Sequence, residues 1–256
     1  MTVHDERSTD PQDYQGLPQA IGLMSKSFAD GFVIPLHEHE RDQLLYAAGG
    51  IMRLRTEAEA WIVPRDSAVY IPAGTHHAVS MHGNVEMRTL YIDTAATDAR
   101  RRDLSVVAVS PLLRELVLAL SEEPMVYDPD SRGGLIAQLI ELEIGRAREL
   151  SLKVPLPKDA RLQRLCAGLL ADPSDRRTLE AWSGVAGASA RTLARLFERD
   201  LGMSFNRWRQ RIRFHNALEA LSRGVPIARV AQQHGYRSAS AFSAAFGKVM
   251  GVPPSR

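Results

Sequence analysis

A weak internal repeat in the C-terminal half, at an offset of 49 residues, constrains the fold of this chain more than any other feature. In it, Ser189, Leu193 and Phe197 recur as Ser238, Phe242 and Phe246. Each copy contains a short apolar helical pattern, a glycine turn, a serine suited to cap a helix, and a second helical pattern. Between the copies, residues 204–221 predict one longer helix. The repeat therefore predicts two helix-turn-helix units, at 178–198 and 226–248, joined by a helix.

The N-terminal half has a different hydrophobic period. Short alternating segments between residues 25 and 95, broken by glycine and proline, predict an antiparallel β-barrel. Leucine and isoleucine at three- and four-residue spacings in 110–122 and 134–150 predict amphipathic helices. The expected fold class is α+β with several domains. We expect a polar segment at 1–24, a barrel at 25–95, a helical linker or dimerisation region at 96–157, and an all-α double helix-turn-helix domain at 158–255.

The charge of the chain is divided between these halves. Residues 158–256 contain 17 basic residues (Lys and Arg) and 7 acidic residues (Asp and Glu), a net charge of +10. Residues 1–157 contain 15 basic and 23 acidic residues, a net charge of −8. This asymmetry indicates a polyanionic partner for the C-terminal half alone.

Composition excludes several other classes. The single cysteine, Cys166, excludes a disulfide scaffold and a cysteine-based zinc finger. No apolar run approaches the ~20 residues that span a bilayer. The first residues are polar and include acids, unlike a signal peptide. We therefore expect a soluble, cytoplasmic protein without a membrane partner.

The helix predicted after Ser189 has one basic and one apolar face. Arg191, Arg195 and Arg199 fall within an arc of ~80° at the helical period. The apolar side chains of Leu193, Leu196 and Phe197 lie opposite and are expected to pack on Trp182 and Val185. Such a helix suits the major groove of DNA, where arginine bridges guanine O6 and N7 or binds phosphate. The alternative is a solvated basic face, which the repeat and the charge asymmetry disfavour.

The second unit offers fewer donors for base recognition. Its last helix presents Ser240, Ser243 and Ala244 outward, with Arg237 before it and Lys248 near its end. We therefore expect base discrimination from Arg191 and Arg195, and phosphate contacts from the second unit. The arginines of the connecting helix, at positions 207, 209, 211 and 213, alternate and cannot all share one face. The sequence does not separate those that contact phosphate from those that pair with acids.

Four motifs in this half carry a family resemblance. They are S-A-R-T-L-A-R-L-F at 189–197, G-M-S-F-x-x-W-R-x-x-x-R at 202–213, G-Y-x-S-x-S-A-F-x-x-x-F at 235–246 and G-V-P-P at 251–254. Over roughly 158–255 the chain resembles the AraC/XylS transcription regulators. The resemblance implies promoter DNA as the partner, with readout at Arg191, Thr192 and Arg195 and around Ser240 and Ser243. Ala194 and Ala244 stand where family members often carry longer polar side chains.

The family resemblance also favours self-association as a homodimer, and a contact with RNA polymerase is left open. Leu112, Leu113, Leu116 and Leu120 form an apolar stripe in the region between the barrel and the DNA-binding module. This stripe is expected either to pack on the barrel or to form a dimer interface.

Five of the eight histidines lie between residues 37 and 82. His37 and His39 are two residues apart on a strand-like segment, so they point to one face. His77 is the candidate third member of the cluster, whereas His76 is expected to face the other way. Three imidazoles from neighbouring strands make a half-shell for a divalent transition metal.

The spacing H37-E-H39-x3-Q43, followed by P72-A-G74-x2-H77, resembles the two cupin motifs over about residues 28–92. The resemblance implies a metal or effector site at His37, His39, Gln43 and His77. Two positions depart from the family pattern: Gln43 replaces the usual glutamate, and Asp66 replaces the glycine expected to open the second motif. Since a neutral amide is a poor ligand, a three-histidine metal site and a metal-free hydrogen-bonding pocket both stay open. No cofactor is certain.

These observations leave three hypotheses about function. The first is a DNA-binding regulator whose barrel senses a small molecule or a metal. The second is a regulator whose barrel serves only for dimerisation. The third, a metal-dependent cupin enzyme fused to a DNA-binding module, is disfavoured by Gln43 and by the lack of an acid–base pair beside the histidines. We therefore expect a protein that is not an enzyme.

Overall fold

The computed structural model describes residues 8–57, 59–63, 67–95, 101, 103–150, 152–222, 224–250 and 254. The chain divides into two compact units, the first from 1–54 and 63–150 and the second from 55–62 and 151–256. None of the helices in the described part of the chain is both long and apolar enough to cross a membrane.

The described residues form nine strands and eight α-helices. The strands are β1 Ile21–Phe28, β2 Val33–His37, β3 Asp42–Arg55, β4 Glu59–Val63, β5 Ser67–Ile71, β6 His77–Ile92, β7 Ser105–Ala108, β8 Glu149–Leu150 and β9 Lys153–Pro155. The helices are α1 Pro111–Leu120, α2 Arg132–Arg146, α3 Ala160–Ala171, α4 Leu179–Ala186, α5 Ala190–Leu201, α6 Phe205–Ser222, α7 Ile227–Gln233 and α8 Ala239–Met250. A short 3₁₀ helix, Pro11–Tyr14, precedes β1.

The first unit is built on an antiparallel sheet with the strand order β1-β6-β3-β5-β7-β8. β6 pairs with three strands: β2 along its first residues, β1 along its last, and β3. The register of β2 shifts after Ile34, and the ladder then places His37 opposite His77. An irregularity of this kind re-aims side chains at the edge of a sheet. Here it brings the two histidine segments together.

Helices α1 and α2 cover part of this sheet. Leu113, Val117, Ile140 and Ile144 are buried in one cluster with strand residues such as Tyr70. Two other leucines of the predicted stripe, Leu116 and Leu120, also belong to this cluster, whereas Leu112 is 52% exposed. Most of the leucine stripe therefore packs on the sheet, which is the first of the two roles expected for it, and does not form an exposed dimer interface.

The sheet extends beyond the segment 25–95 that the alternating pattern indicated. β1 begins at Ile21, and β7 and β8 lie within 96–157. The first four residues of β1 are all buried, so they show no alternation of apolar and polar residues. β7 and β8 have four and two residues, too few to display a period.

A buried arginine holds the N-terminal segment against the first unit. The Arg41 guanidinium donates to the carbonyl oxygens of Gln15, at 2.8 Å, of Gln19, at 3.0 Å, and of Leu17. It also lies 3.7 Å from Asp93. Because a buried charge needs several partners, Arg41 fixes the path of the chain that leads from the 3₁₀ helix into β1.

The second unit contains the two helix-turn-helix pairs, α4–α5 and α7–α8, joined by α6. Gly187 ends α4 with φ of 70°, a left-handed conformation that favours glycine, and the Ser189 side chain caps α5 by accepting from the Thr192 N–H. Trp182 and Phe197 are fully buried in the first pair. Val185, expected in that core, is 49% exposed because it lies about 100° around α4 from Ala186, which is buried.

A short pair of strands also belongs to this unit. β4 and β9 pair antiparallel, with Ala60 opposite Val154. The Trp208 indole N–H of α6 donates to the Pro155 carbonyl at 2.9 Å, and Val154 is buried among the helices. The segment before α3 is therefore fixed to the helices of this unit by packing and by a hydrogen bond.

Candidate functional site

The structure brings His37, His39 and His77 together in the first unit. His37 ends β2, His39 follows it, and His77 begins β6. Their ring centroids lie 4.3 Å apart for His37 and His77, 4.8 Å for His37 and His39, and 5.6 Å for His39 and His77. One ring nitrogen from each lies within 4.8 Å of those from the other two. The cluster predicted from sequence spacing is therefore present in three dimensions.

Hydrogen bonds orient two of these rings. The Nδ1 atom of His37 lies 2.7 Å from the Pro35 carbonyl oxygen, and that of His77 lies 2.8 Å from the Thr75 carbonyl oxygen. A carbonyl only accepts, so each Nδ1 carries the proton and each Nε2 has a free lone pair. This is the arrangement in which metal-binding histidines are usually held.

His39 differs because neither of its ring nitrogens has a hydrogen-bond partner among the described residues, although the side chain is only 7% exposed. A buried polar atom without a partner is costly. Burial, together with the neighbouring His37 and His77, lowers the pKa of His39 to about 4. Burial likewise lowers the pKa of His77 to about 4. Both imidazoles are therefore neutral at physiological pH and can act as ligands or acceptors.

Gln43 lies on β3 beside the cluster. Its side chain hydrogen-bonds to Tyr91, whose pKa burial raises. The Gln43 Oε1 atom is buried and has no hydrogen-bond partner among the described residues. The ring of Tyr91 in turn contacts His39 edge-on, with centroids 5.2 Å apart. His39 and Gln43 thus present unused polar atoms beside each other.

These residues line a cavity of about 340 Å³ in the first unit. Its remaining wall is mostly apolar and includes Phe28, Phe32, Ile34, Leu45, Val79 and Met87. Lys26 and Glu38 are the charged residues that line it. An apolar cavity of this size with a few convergent polar groups is typical of a small-molecule site.

Sequence reasoning missed part of this cavity wall. Pro11 and Gln12 line the cavity. The sequence predicts only a polar segment at 1–24, outside the barrel. Tyr14, fully buried within a polar stretch, is the sequence signal that marks this segment as packed. His76 points away, as expected, with its Nδ1 atom 3.2 Å from a carboxylate oxygen of Glu38.

The candidate nucleic-acid interface lies on α5 of the second unit. Leu193, Leu196 and Phe197 are buried, while Arg191 and Arg195 are exposed on the opposite face. Neither of these arginines forms a salt bridge with any described residue. Thr192 is half-buried, and its hydroxyl lies 3.0 Å from that of Ser189. The helix therefore presents two unpaired guanidinium groups one turn apart.

Arg199, the third arginine of the predicted stripe, has acidic partners. Its Nε atom lies 2.6 Å from a carboxylate oxygen of Asp200, and its terminal nitrogen lies 3.9 Å from Asp159. Because these carboxylates offset its charge, Arg199 is the weakest of the three candidates for a DNA contact.

The second helix-turn-helix pair, α7–α8, presents short side chains whose hydrogen-bonding groups are partly used. The Ser243 hydroxyl donates to the Ala239 carbonyl at 2.8 Å, and the Ser240 hydroxyl lies 2.9 Å from that of Ser238. Arg237 and Lys248 are exposed at the two ends of α8. This face allows close approach to a duplex but offers few donors to base edges.

The structure separates the arginines of α6, which the sequence left unsorted. Arg209, Arg211 and Arg213 all donate to main-chain carbonyl oxygens of the second unit. Arg207 is exposed. The expected pairing of some of these arginines with acids does not occur as a salt bridge among the described residues.

Comparison with known proteins identifies both domains. Residues 26–93 match the model of the cupin domain, and residues 182–256 match a helix-turn-helix domain. The HTH-type transcriptional regulator NimR of Escherichia coli K12 is 29% identical over 237 residues, covering 93% of this chain and 86% of NimR. An AraC-like transcription regulator of Streptomyces antibioticus is 26% identical over 246 residues, covering 94% and 71%.

Among solved structures, ToxT from Vibrio cholerae aligns over 93% of this chain and 97% of its own at 14% identity. Its TM-score of 0.36 is too low to support an argument.

The fold, the two domain matches and these relatives define a DNA-binding transcription regulator. The chain carries a cupin domain followed by an AraC-type helix-turn-helix domain, and its relatives include HTH-type and AraC-like transcription regulators.

Proposed function

We propose that this cytoplasmic, non-enzymatic regulator recognises promoter DNA mainly through Arg191 and Arg195, and that its cupin domain binds a small-molecule or metal effector. The DNA part depends on one observation: α5 buries its apolar face and presents two exposed arginines without carboxylate partners. Arginine at such positions bridges O6 and N7 of guanine in the major groove.

The second helix-turn-helix unit supports binding in a different way. Ser240 and Ser243 already use hydrogen-bonding capacity within their own helix, whereas Arg237 and Lys248 are charged and exposed. Charged side chains at the ends of α8 suit phosphate oxygens, which position a protein without reading sequence. We therefore assign base discrimination to the first helix-turn-helix unit, α4–α5, and positioning on the duplex to the second, α7–α8.

DNA binding by single-residue variants tests this division of roles. The probe is a duplex that the purified chain selects from a random-sequence pool, measured by fluorescence anisotropy beside a scrambled duplex. Arg191→Ala and Arg195→Ala should each lose about 1–3 kcal/mol on the selected duplex and relax its base preference. Arg199→Ala should lose less, because Asp200 already offsets its charge. A Ser243→Ala variant that relaxed the preference more than Arg191→Ala would contradict the assignment.

The effector part of the proposal is supported by the unused polar atoms in the cavity. A barrel that served only as a scaffold would gain stability by filling this space with apolar side chains. Instead His39 and Gln43 leave buried ring and amide atoms without partners among the described residues, beside an apolar wall. A ligand with an apolar body and a polar end directed at His39 would satisfy both. Coupling of ~1–3 kcal/mol between ligand binding and DNA binding would be enough for regulation.

The same residues fit a metal ion as one form of this effector. His37 and His77 use Nδ1 on main-chain carbonyls, which leaves Nε2 to face a ligand, and neither nitrogen of His39 has a partner among the described residues, so ring nitrogens of three imidazoles converge. Zinc–nitrogen bonds of about 2.0–2.1 Å require ligand nitrogens within about 4.2 Å of one another, slightly closer than the 4.8 Å limit seen here. Gln43 would be a weak fourth ligand. A bound ion would supply Lewis acidity or a coordination position for an organic ligand.

We further propose that the chain forms a homodimer through α2. Leu135, Leu139 and Leu142 follow the i, i+4, i+7 spacing of one helix face and are 57%, 45% and 63% exposed. The opposite face of α2, with Ile140 and Ile144, is buried on the sheet. A leucine stripe left uncovered in this way matches an identical stripe on a second copy, as a two-fold interface requires.

A further inference from the structure

A second basic feature of the DNA-binding unit lies outside the recognition helices. A cavity of about 690 Å³ is bounded by α6, by the loop between α3 and α4, and by the turn after α7. Arg176, Arg209 and Arg213 line it, together with Gln233 and His234. None of the described residues that line it is acidic. The cavity is therefore rich in hydrogen-bond donors, and an anion would meet no repelling carboxylate on its wall.

Arg209 is held rigidly at this cavity by neutral partners. Its guanidinium donates to the Arg177 carbonyl oxygen at 2.9 Å and to the Asn206 side-chain oxygen at 3.0 Å, and it stacks on the Phe205 ring at 4.8 Å. It forms no salt bridge with any described residue. Since a guanidinium has five N–H donors, several remain for a ligand. An anion bound there would not have to displace a carboxylate or order a flexible side chain.

Other arginines of this unit behave differently. Arg161, Arg177 and Arg199 each pair with an aspartate within 3 Å. Arg213 uses Nε and one terminal nitrogen to hold the Pro173 and Asp175 carbonyl oxygens, which fixes the loop that carries Arg176. Burial lowers the pKa of the Arg213 guanidinium, and the positive charges of Arg209 and Arg176 lower it further. An anion in the cavity would relieve this repulsion.

The cavity is continuous with the face that carries the first recognition helix. Arg209 also lines a neighbouring cavity that includes Ala194 and Arg195 of α5, with Glu180 and Glu198 elsewhere on its wall. At its other end the first cavity reaches Gln233 and Gly235, at the turn of the second helix-turn-helix unit. Arg209 therefore lies between a donor of the first helix-turn-helix unit, Arg195, and a donor of the second, Gln233. When two such units contact successive major grooves on one side of a duplex, the DNA backbone must cross the space between them.

We propose that this cavity binds a phosphate of the DNA backbone between the two recognition helices, with Arg209 as the principal ligand and Arg176 beside it. The inference rests on the proposed promoter binding and assigns a positioning role that carries no base preference. A free phosphate or an acidic peptide offers related chemistry. The duplex is favoured because Arg209 also lines the cavity that reaches the exposed Arg195 of α5.

The test compares Arg209→Gln with Arg207→Gln, which removes the same charge about 200° away around α6. Affinity is measured for the selected and the scrambled duplex at several salt concentrations, after thermal unfolding has shown that both variants fold. For Arg209→Gln we expect equal loss on both duplexes and a salt dependence of log K whose slope is smaller by about 1, the change for one phosphate contact. Arg207→Gln should retain the wild-type slope.

An Arg209→Gln variant with the affinity and slope of Arg207→Gln would overturn the inference. Thermal stabilisation of the wild type by inorganic phosphate, lost in Arg209→Gln while the slope for DNA stays unchanged, would overturn it in favour of a small anion. Loss confined to the selected duplex would make Arg209 a base contact and equally contradict the assignment. A wild-type chain that bound neither duplex would refute the proposed function itself, and this inference with it.

Discussion

His37 and His77 face each other across the antiparallel pairing of β2 and β6, with their ring centroids 4.3 Å apart. Each imidazole is oriented by a main-chain carbonyl two residues earlier, at Pro35 and Thr75. The register shift after Ile34 creates this opposition, and His39 completes the cluster from the loop that follows β2. The site therefore depends on strand pairing as much as on the histidines themselves.

The depressed pKa values of His39 and His77 predict how stability depends on pH in metal-free protein. Both fall from 6.5 to about 4 on folding, so between these pH values the unfolded chain binds more protons than the folded one. Their contribution to stability is thus complete above pH 6.5 and is lost as the pH falls to 4. Each unit of depression corresponds to about 1.4 kcal/mol. Urea unfolding in chelator at pH 7.5, 5.5 and 4.5 measures the loss.

The matched variant for this measurement is His39→Gln with His77→Gln, which removes both titrating groups. Its free energy of unfolding should vary less over the same pH range. An equal slope in the wild type and the variant would show that acid sensitivity arises elsewhere in the chain.

Metal content provides a separate prediction for the same cluster. Protein purified without chelator or affinity tag should contain about one transition-metal ion per chain by mass spectrometry, and His37→Ala/His39→Ala should contain none. Gln43→Glu should bind metal more tightly, because it supplies the anionic ligand that this chain lacks. His76→Ala is the control, since His76 faces Glu38 outside the cluster. An absence of metal from both the wild type and the Gln43→Glu variant would leave the histidines as a pocket for an organic ligand.

The leucine face of α2 predicts a dimer that one charge can disrupt. Leu139→Glu places a carboxylate at the centre of the stripe formed by Leu135, Leu139 and Leu142. Sedimentation at micromolar concentration should show a dimer for the wild type and a monomer with unchanged helicity for the variant. Leu170→Glu, at another exposed leucine, should stay dimeric. A wild type that remained monomeric with and without DNA would contradict the proposed interface.

Arg41 predicts a large effect of a residue outside both sites. Arg41→Met removes the donors to three main-chain carbonyl oxygens at Gln15, Leu17 and Gln19 and leaves them without these donors. The loss should be about 3 kcal/mol or more in urea unfolding. Arg114→Met, which removes an exposed guanidinium, should change stability by less than about 0.5 kcal/mol. Similar losses in both variants would show that Arg41 does not anchor the N-terminal segment.

The sequence by itself determined the architecture of the DNA-binding unit. Gly187, Ser189, Gly235 and Ser238 mark the turns and helix starts, and the apolar period indicates which faces are buried. These signals are local, because capping, turn conformation and helix periodicity act over a few residues. The two-residue spacing likewise predicted that His37 and His39 lie together, although His39 lies in the loop just after β2 and not on the strand itself.

Tertiary structure decided which of the predicted residues meet. Strand register placed His77 opposite His37, and packing of the N-terminal segment under Arg41 brought Pro11 and Gln12 to the cavity. Among chemically identical arginines, Arg199 pairs with Asp200, whereas Arg195 forms no salt bridge with any described residue. The Arg177 main-chain carbonyl holds Arg209 at a basic cavity. None of these pairings lies within one helical turn or one strand except that of Arg199 with Asp200. They follow from contacts between segments distant in sequence, about which local propensity and periodicity carry no information.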